Sequence, residues 1–320
     1  MGTLELLSAN LLSPMVLAFA LGALATLLKS DLKLPEGLYT SLTIYLLFAI
    51  GLKGGVALSE SSVVELWKPA LATLVLGIAT ALTSYTVARR IFKLTRVDAA
   101  AMAAHYGSVS AVTFIAAIAF AESQKVQVEG FLPALVAILE IPAILLALVM
   151  ASKKQAGSYG ALVRELLTGK TILLLLGGLL IGLVSGKQGV SQVQPLFGDL
   201  FRGALTIFLL EMGLVAAQRF QDLKKHALLL CLFGTLMPVL NGTIGVLAGL
   251  AAGMSPGGAG VLGAMASSAS YIAAPAVIRV SLPEANPSLY LTAPLAVTFP
   301  FNLAFGIPLF HLMALGIKPA

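Results

Sequence analysis

Tyr106–Thr113 reads YGSVSAVT, a small and hydroxyl-rich stretch inside a long apolar run, and Ser268–Pro275 reads SASYIAAP inside a second such run. The two stretches are 162 residues apart. The same offset, without a gap, aligns IGLKGG at Ile50–Gly55 with MGLVAA at Met212–Ala217. We therefore predict an internal repeat in which each half carries one small polar stretch in the middle of its fourth helix.

Composition places most of the chain in a membrane. Apolar residues make up 58% of the 320 positions and charged residues 11%, whereas about a quarter of a soluble domain is charged. Apolar runs of about 17 to 25 residues, long enough to cross a bilayer, recur along the chain. We predict an all-α polytopic membrane protein with ten spans, near Leu11–Leu28, Leu38–Leu58, Pro69–Ala88, Ala99–Ala121, Phe131–Ala151, Thr171–Ser185, Leu200–Ala217, Ala227–Leu250, Gly260–Val280 and Ser288–Leu315.

The basic residues predict how these spans are oriented. If the N-terminus lies outside, the loops that become cytoplasmic carry 14 of the 20 Lys and Arg residues, and the outside segments carry five. Cytoplasmic loops are enriched in these residues, so we expect both termini outside the cytoplasmic (inner) membrane. Since the net charge of +6 follows topology in this way, it does not indicate nucleic-acid binding.

Five spans in each half are an odd number, so the second half enters the membrane from the opposite side. We therefore predict 5+5 inverted repeats. The first repeat covers residues 1–151, a short cytoplasmic link covers 152–169, and the second repeat covers 170–320. Inverted repeats are a transporter architecture with the substrate near the membrane midplane.

The two polar stretches are the predicted site. Irregular backbone at membrane depth persists only where protein or a water-filled cavity surrounds it. If each helix breaks there, the N-terminus of its second half presents free N–H groups and a positive dipole end, which suits an anion. Hydroxyls of Ser108, Ser110, Ser268 and Ser270 would add donors, and freed oxygens suit sodium. The alternative is that Gly and Ser only allow close helix packing.

Polar residues inside other spans give further candidates. Glu140 precedes Pro142 in the fifth span, and Asn302 follows Pro300 in the tenth. Intramembrane ionisable groups raise a functional question, so Glu140 and Asn302 are candidate cation ligands. The alternative for Glu140 is a protonated or hydrogen-bonded structural role.

Lys53 and Glu211 are buried charges at related depths, for which an ion pair that stabilises packing is favoured over substrate contact. Asn241 is expected to join helices by a hydrogen bond. The chain has three His and one Cys, scattered along the sequence, which do not make a metal site. It contains no nucleophile elbow, phosphate-binding loop or His-Glu-x-x-His helix, so the sequence gives no support to an enzyme and no cofactor is expected.

HYGSVSAVTF at His105–Phe114, AILEIPAI at Ala137–Ile144 and IGLKGG at Ile50–Gly55 resemble the cyanobacterial sodium-dependent bicarbonate transporters, and the resemblance covers nearly the whole chain. It implies core and gate domains, a homotrimer, and symport of bicarbonate with sodium as the coupling ion. The substrate-binding positions that it implies are Gly107, Ser108, Ser110, Ser268 and Ser270. Ala269 and Tyr271, in the same stretch, are further candidates for substrate contact. Thr113 joins Glu140 and Asn302 as a candidate sodium ligand.

The chain departs from this family in two places. Tyr271 stands where the family has an acidic residue, and the link at 152–169 is short where the family has a long cytoplasmic segment. Binding of a PII-like regulator is therefore left open. One alternative is a symporter that couples another small carboxylate or anion to protons through Glu140. A second alternative is a non-transporting membrane receptor or scaffold.

Overall fold

The computed structural model describes residues 3–59, 66–151, 167–220, 227–271 and 273–317, together with Gly160 and Arg164. Most of the predicted link at 152–169 lies outside the described residues, as does Ile272. The described ranges consist of helices and their connections, without a strand.

Thirteen helices are named here in chain order, with the bounds that the structure gives them. They are α1 (Thr3–Leu11), α2 (Pro14–Leu27), α3 (Glu36–Ser59), α4 (Trp67–Arg90), α5 (Arg96–Tyr106), α6 (Ala111–Ser123), α7 (Leu132–Ala151), α8 (Lys170–Ser191), α9 (Phe201–Gln218), α10 (Ala227–Ala251), α11 (Pro256–Ser267), α12 (Ala273–Ser281) and α13 (Pro287–Gly316). Wider π-type turns lie within α13 at Ala293–Thr298 and Asn302–Gly306.

By length and composition, eight helical segments within the described ranges can cross a membrane. Seven of them are single helices, namely α3, α4, α7, α8, α9, α10 and α13, and the eighth is the interrupted helix formed by α5 and α6. The other two of the ten predicted spans coincide with α2, which is a shorter apolar helix, and with α11 and α12, which are 12 and 9 residues long. The count of ten stays a prediction.

The helices pack in two layers. In the first, called the four-helix layer, α3 lies along α8 and α2 lies along α9. Glycines allow the close approach, since a Cβ on Gly51 would lie 2.9 Å from the Cα of Gly178. In the second, called the core layer, α4, α5 and α7 pack together, as do α10, α11 and α13. Within this layer α4 contacts α10, α6 contacts α11, and α12 contacts α5.

Helix contacts in the first predicted half have counterparts in the second. Under the 162-residue offset, α2 corresponds to α8 and α3 to α9, so the contact of α3 with α8 matches the contact of α9 with α2. The second halves of the interrupted helices begin at Ala111 and Ala273, which are also 162 residues apart. This is the packing expected of a repeat, and its inverted orientation in the membrane stays a prediction.

The interrupted helix α5–α6 lies at the centre of the molecule. Its most apolar window is entirely buried, whereas that of α8 is 28% buried. A helix that is apolar on all sides is a core helix, and the alanines at positions 99–101, 103 and 104 provide a smooth surface for its neighbours. The polar break in the middle of this helix is therefore held inside protein.

Candidate functional site

The structure interrupts both helices at the two small polar stretches. Helix α5 ends at Tyr106 and α6 begins at Ala111, and α11 ends at Ser267 and α12 begins at Ala273. The serines within the breaks, Ser108, Ser110, Ser268 and Ser270, are each no more than 3% exposed. Backbone polar groups at both breaks must therefore find partners inside the protein.

The two breaks supply these partners to each other. The backbone N–H of Ser110 donates to the Oγ atom of Ser268 at 2.8 Å. In the reverse direction, the backbone N–H of Ser270 donates to the carbonyl oxygen of His105, also at 2.8 Å. Two buried hydrogen bonds of opposite direction therefore brace the first break against the second.

Serine side chains also cap the helices that follow. Ser110 Oγ accepts the backbone N–H of Thr113 at 3.1 Å, and Ser270 Oγ accepts the backbone N–H of Ala274 at 3.2 Å. These are N-caps, which satisfy amides in the first turn of a helix. Fewer free N–H groups are therefore present than predicted, because several amides at the breaks already donate hydrogen bonds within the protein.

A cavity lies between the breaks and extends to the four-helix layer. Its described lining is Val109, Ser110, Ala111, Glu140, Thr171, Ser270 and Tyr271. The cavity with its mouth has a volume of about 210 Å³, and its interior accommodates a group about the size of one water molecule. The amide of Ala111, the first residue of α6, has no acceptor within its own helix. The cavity is therefore small and polar at one end.

Two groups in the cavity wall have unused hydrogen-bonding capacity. Glu140 is 4% exposed, and its Oε2 atom has no hydrogen-bond partner among the described residues. The Tyr271 hydroxyl is also buried without a partner in that part of the chain, and its ring packs edge-on against Phe299 with centroids 5.9 Å apart. The described lining includes no Lys, Arg or His.

Gly107, Ser108 and Ala269 have mainly structural surroundings. A Cβ on Gly107 would lie 2.7 Å from Ala81 Cβ and 2.8 Å from Ala143 Cβ, so this glycine allows α4 and α7 to close on the break. The Ser108 hydroxyl donates to the Glu140 carbonyl oxygen at 3.4 Å. Ala269 is buried. None of the three belongs to the described lining of the cavity.

Of the candidate sodium ligands, only Glu140 is among the described lining residues. Asn302 is buried against the end of α11, where its Oδ1 accepts the Ser267 hydroxyl at 3.0 Å and its Nδ2 donates to the Ser267 carbonyl oxygen at 3.1 Å. Thr113 is buried in the first turn of α6. The three candidates therefore do not surround this one cavity.

For two polar residues outside the breaks, the structure confirms one predicted interaction and contradicts the other. Asn241 joins helices as predicted, since its Nδ2 donates to the Tyr106 carbonyl oxygen at 3.1 Å and to Ser84 Oγ at 3.4 Å. Lys53 forms its ion pair with Glu122, at 3.3 Å. Pairing of Lys53 with Glu211 was wrong, because related depth in the membrane does not fix which side chains are neighbours.

Sequence reasoning missed Thr171 as a residue of the site. It is the second residue of α8 and lies in the four-helix layer, yet it lines the cavity between the breaks. The available signal was a hydroxyl at the start of an otherwise apolar run. That signal is weak, because polar residues are ordinary at the end of a membrane span.

Comparison with known proteins identifies the family of the chain. A search of curated proteins finds no match. A family model described as the Na⁺-dependent bicarbonate transporter superfamily matches residues 14–315, nearly the whole chain. The chain is thus a multi-pass membrane protein and a transporter family member rather than an enzyme. From residue 14 to residue 315, the chain belongs to the Na⁺-dependent bicarbonate transporter superfamily.

Proposed function

We propose that this protein is a secondary active transporter that takes up bicarbonate together with sodium across the cytoplasmic membrane. The anion binds between the two interrupted helices. The observation that carries the proposal is the buried cavity at the braced breaks, in a chain whose family is named for this transport. Gly107, Ser108, Ser268 and Ala269 then shape the site from behind, and Ser110, Ser270 and Tyr271 contact the anion.

The chemistry of the lining supports an anion. The Ala111 amide lies at the N-terminus of α6, where the helix dipole favours negative charge. Hydroxyls of Ser110 and Ser270 add neutral donors beside it. Transporters place such half-helix N-termini against anionic groups near the midplane.

Sodium supplies the compensating charge in this proposal. An anion beside the Glu140 carboxyl brings negative groups together in a cavity whose described lining has no basic side chain. Like charges in a poorly solvated site repel each other strongly, so a bound cation favours joint occupancy. Carboxyl and hydroxyl oxygens are the ligands that hard cations prefer. Glu140 is the leading sodium ligand, and Thr113 and Asn302 remain candidates for a site behind the breaks.

Movement between the layers provides access to the site. Thr171 belongs to the four-helix layer, whereas Ser110 and Ser270 belong to the core layer. The interior of the cavity is too narrow for a four-atom anion, so displacement of the core layer against the four-helix layer, acting as a gate, is needed to admit one. This mechanism fits 5+5 inverted repeats with both termini outside.

Assembly and regulation are proposed by analogy with the family and not from a contact in the structure. The proposed assembly is a homotrimer. A PII-like cytoplasmic regulator would act through the link at 152–169, most of which lies outside the described residues.

Uptake of labelled bicarbonate tests the proposal. Cells that express the protein should accumulate bicarbonate faster with external sodium than with choline. Glu140→Gln should reduce the stimulation by sodium, and Asp31→Asn, at an exposed loop position, should not. Absence of sodium-stimulated uptake from folded protein would reject sodium bicarbonate symport. Anion binding without flux would favour the receptor alternative.

One observation favours a second candidate function. The second break contributes the phenol of Tyr271 to the cavity, so Glu140 is the carboxyl group of its described lining. A symporter that couples another small carboxylate to protons through Glu140 would use the same architecture. Uptake across a panel of small anions, with external sodium and pH varied independently, separates the two candidates.

A further inference from the structure

The hydroxyl groups at the two breaks differ in what they can still donate. Ser110 and Ser270 each use the Oγ atom to accept a helix-capping amide. A hydroxyl oxygen that accepts in this way keeps its own hydrogen for donation. Because both serines line the cavity, each has a hydrogen available for a ligand there.

Tyr271 provides a third hydroxyl. Its oxygen is buried and makes no hydrogen bond of standard distance and angle with the described residues, and its nearest hydroxyl neighbour in the cavity wall is Ser110. Packing of the ring against Phe299 holds the phenol in place. The donors therefore converge from both interrupted helices, with Ser110 on the first and Ser270 and Tyr271 on the second.

The remaining serines are directed elsewhere. Ser268 Oγ donates to the Met265 carbonyl oxygen at 2.6 Å while it accepts the Ser110 amide. The Ser108 hydroxyl is turned toward the Glu140 carbonyl oxygen. Neither serine is in the described lining, so three side-chain O–H donors face the cavity from this part of the molecule.

The same cavity contains one side-chain acceptor of a different kind. The Oε2 atom of Glu140 is buried and has no partner in the described part of the chain. A carboxyl oxygen accepts a hydrogen bond readily. The lining therefore presents three hydroxyls from the two breaks, the Thr171 hydroxyl from the four-helix layer, and one carboxyl acceptor to whatever it binds.

We propose that this donor and acceptor set selects a trigonal oxyanion that carries its own O–H group, and that the Tyr271 hydroxyl is the specificity-determining donor. The inference deepens the proposed function and rests on the anion site proposed there. Bicarbonate presents acceptor oxygens to the hydroxyls and donates its own O–H to Glu140. Nitrate and formate lack that O–H, and chloride offers no separate oxygens. A site that contains a buried acceptor discriminates against ligands that leave it unpaired.

Thermal unfolding of the purified full-length protein tests the inference. Sodium bicarbonate, nitrate, formate and chloride are compared at constant sodium concentration and constant ionic strength. Bicarbonate should raise the Tm most, and chloride least. Tyr271→Phe keeps the ring packing and removes the hydroxyl, so the apparent Kd for bicarbonate should rise about 10- to 100-fold, as expected for a hydrogen bond to a charged ligand. Tyr85→Phe, which removes a hydroxyl outside the described cavity lining, should bind as the unaltered protein does.

Each outcome separates this inference from the proposed function. Equal stabilisation by nitrate and bicarbonate, or unchanged bicarbonate affinity in Tyr271→Phe, overturns the selectivity while sodium-dependent uptake can stand. If Tyr271→Phe is poorly folded, the order in which the four anions raise the Tm of the unaltered protein decides whether the proposed selectivity holds. Failure of bicarbonate to stabilise the protein, combined with absence of uptake, rejects the proposed function and this inference together.

Discussion

The Lys53 ammonium group lies 3.3 Å from a carboxylate oxygen of Glu122, and this ion pair joins the two layers of the molecule. Lys53 is in α3 of the four-helix layer, where it also lies over the Phe201 ring at 4.4 Å. Glu122 is in the last turn of α6, about 16 Å along the helix from the cavity at its start. The pair therefore contributes to holding the layers in this arrangement without contacting the site.

Breaking the Lys53–Glu122 pair should alter the movement between layers. The side chains are 30% and 33% exposed, and partly exposed pairs contribute about 0 to 1 kcal/mol. Glu122→Gln should therefore shift the conformational equilibrium by up to about fivefold, with a changed initial rate of uptake and a change of no more than about fivefold in the apparent Kd for bicarbonate. Uptake and thermal-shift titrations measure the two quantities.

Charge exchange provides the control for this pair. Lys53→Glu combined with Glu122→Lys restores opposite charges across the layers, so it should recover part of the rate lost or gained in each single variant. If the double variant is no closer to the unaltered protein than either single variant, the ion pair does not couple the layers.

Gly107→Ala should destabilise the protein rather than act on the ligand directly. The new Cβ would meet Ala81 Cβ at 2.7 Å and Ala143 Cβ at 2.8 Å, and overpacking of this kind costs about 1 to 3 kcal/mol. A lower Tm is therefore expected in the absence of bicarbonate. The matched control is Gly177→Ala in α8, where nothing lies within 4 Å of the added atom. Equal Tm values for the two variants would contradict the packing role.

Labelling of single cysteines tests the predicted orientation. Cys231 is the one cysteine of the chain, so Cys231→Ala gives a cysteine-free background. In that background, Gln124→Cys should react with a membrane-impermeant maleimide in intact cells, and Asp31→Cys should react only after permeabilisation. Asp31 is exposed and Gln124 is partly exposed, and both lie in connections between helices. The reverse pattern would show that the termini are inside.

The sequence was sufficient to locate the helix breaks because local chemistry determines them. Glycine and hydroxyl-bearing residues inside an apolar run weaken the helix and supply its caps. Ser110 is both a sequence signal and an observed N-cap. Eight of the ten predicted spans coincide with helices long enough to cross a membrane, for the related reason that apolar length is a local property.

The partners across the molecule were not predictable in the same way. The position of a residue within its span predicts its depth in the membrane but not which side chains lie beside it. Lys53 was therefore matched to Glu211, although it pairs with Glu122. Asn302 was likewise grouped with Glu140, yet it bonds to Ser267 at the end of α11. Only the packing of the layers determines such contacts.

Ser268→Ala tests whether the brace between the breaks orders the site. The substitution removes the acceptor of the buried Ser110 amide, and a buried donor left without a partner costs about 1 to 3 kcal/mol. Hydrogen exchange should therefore become faster in the segment around Gly107–Thr113, and bicarbonate should bind more weakly. Ser191→Ala is the control, because that exposed hydroxyl bonds only to Gln188 in its own helix. Since the Ser110 cap and the Ala111 amide depend on the first break holding its shape, unchanged exchange in Ser268→Ala would mean that the surrounding helices alone fix the break.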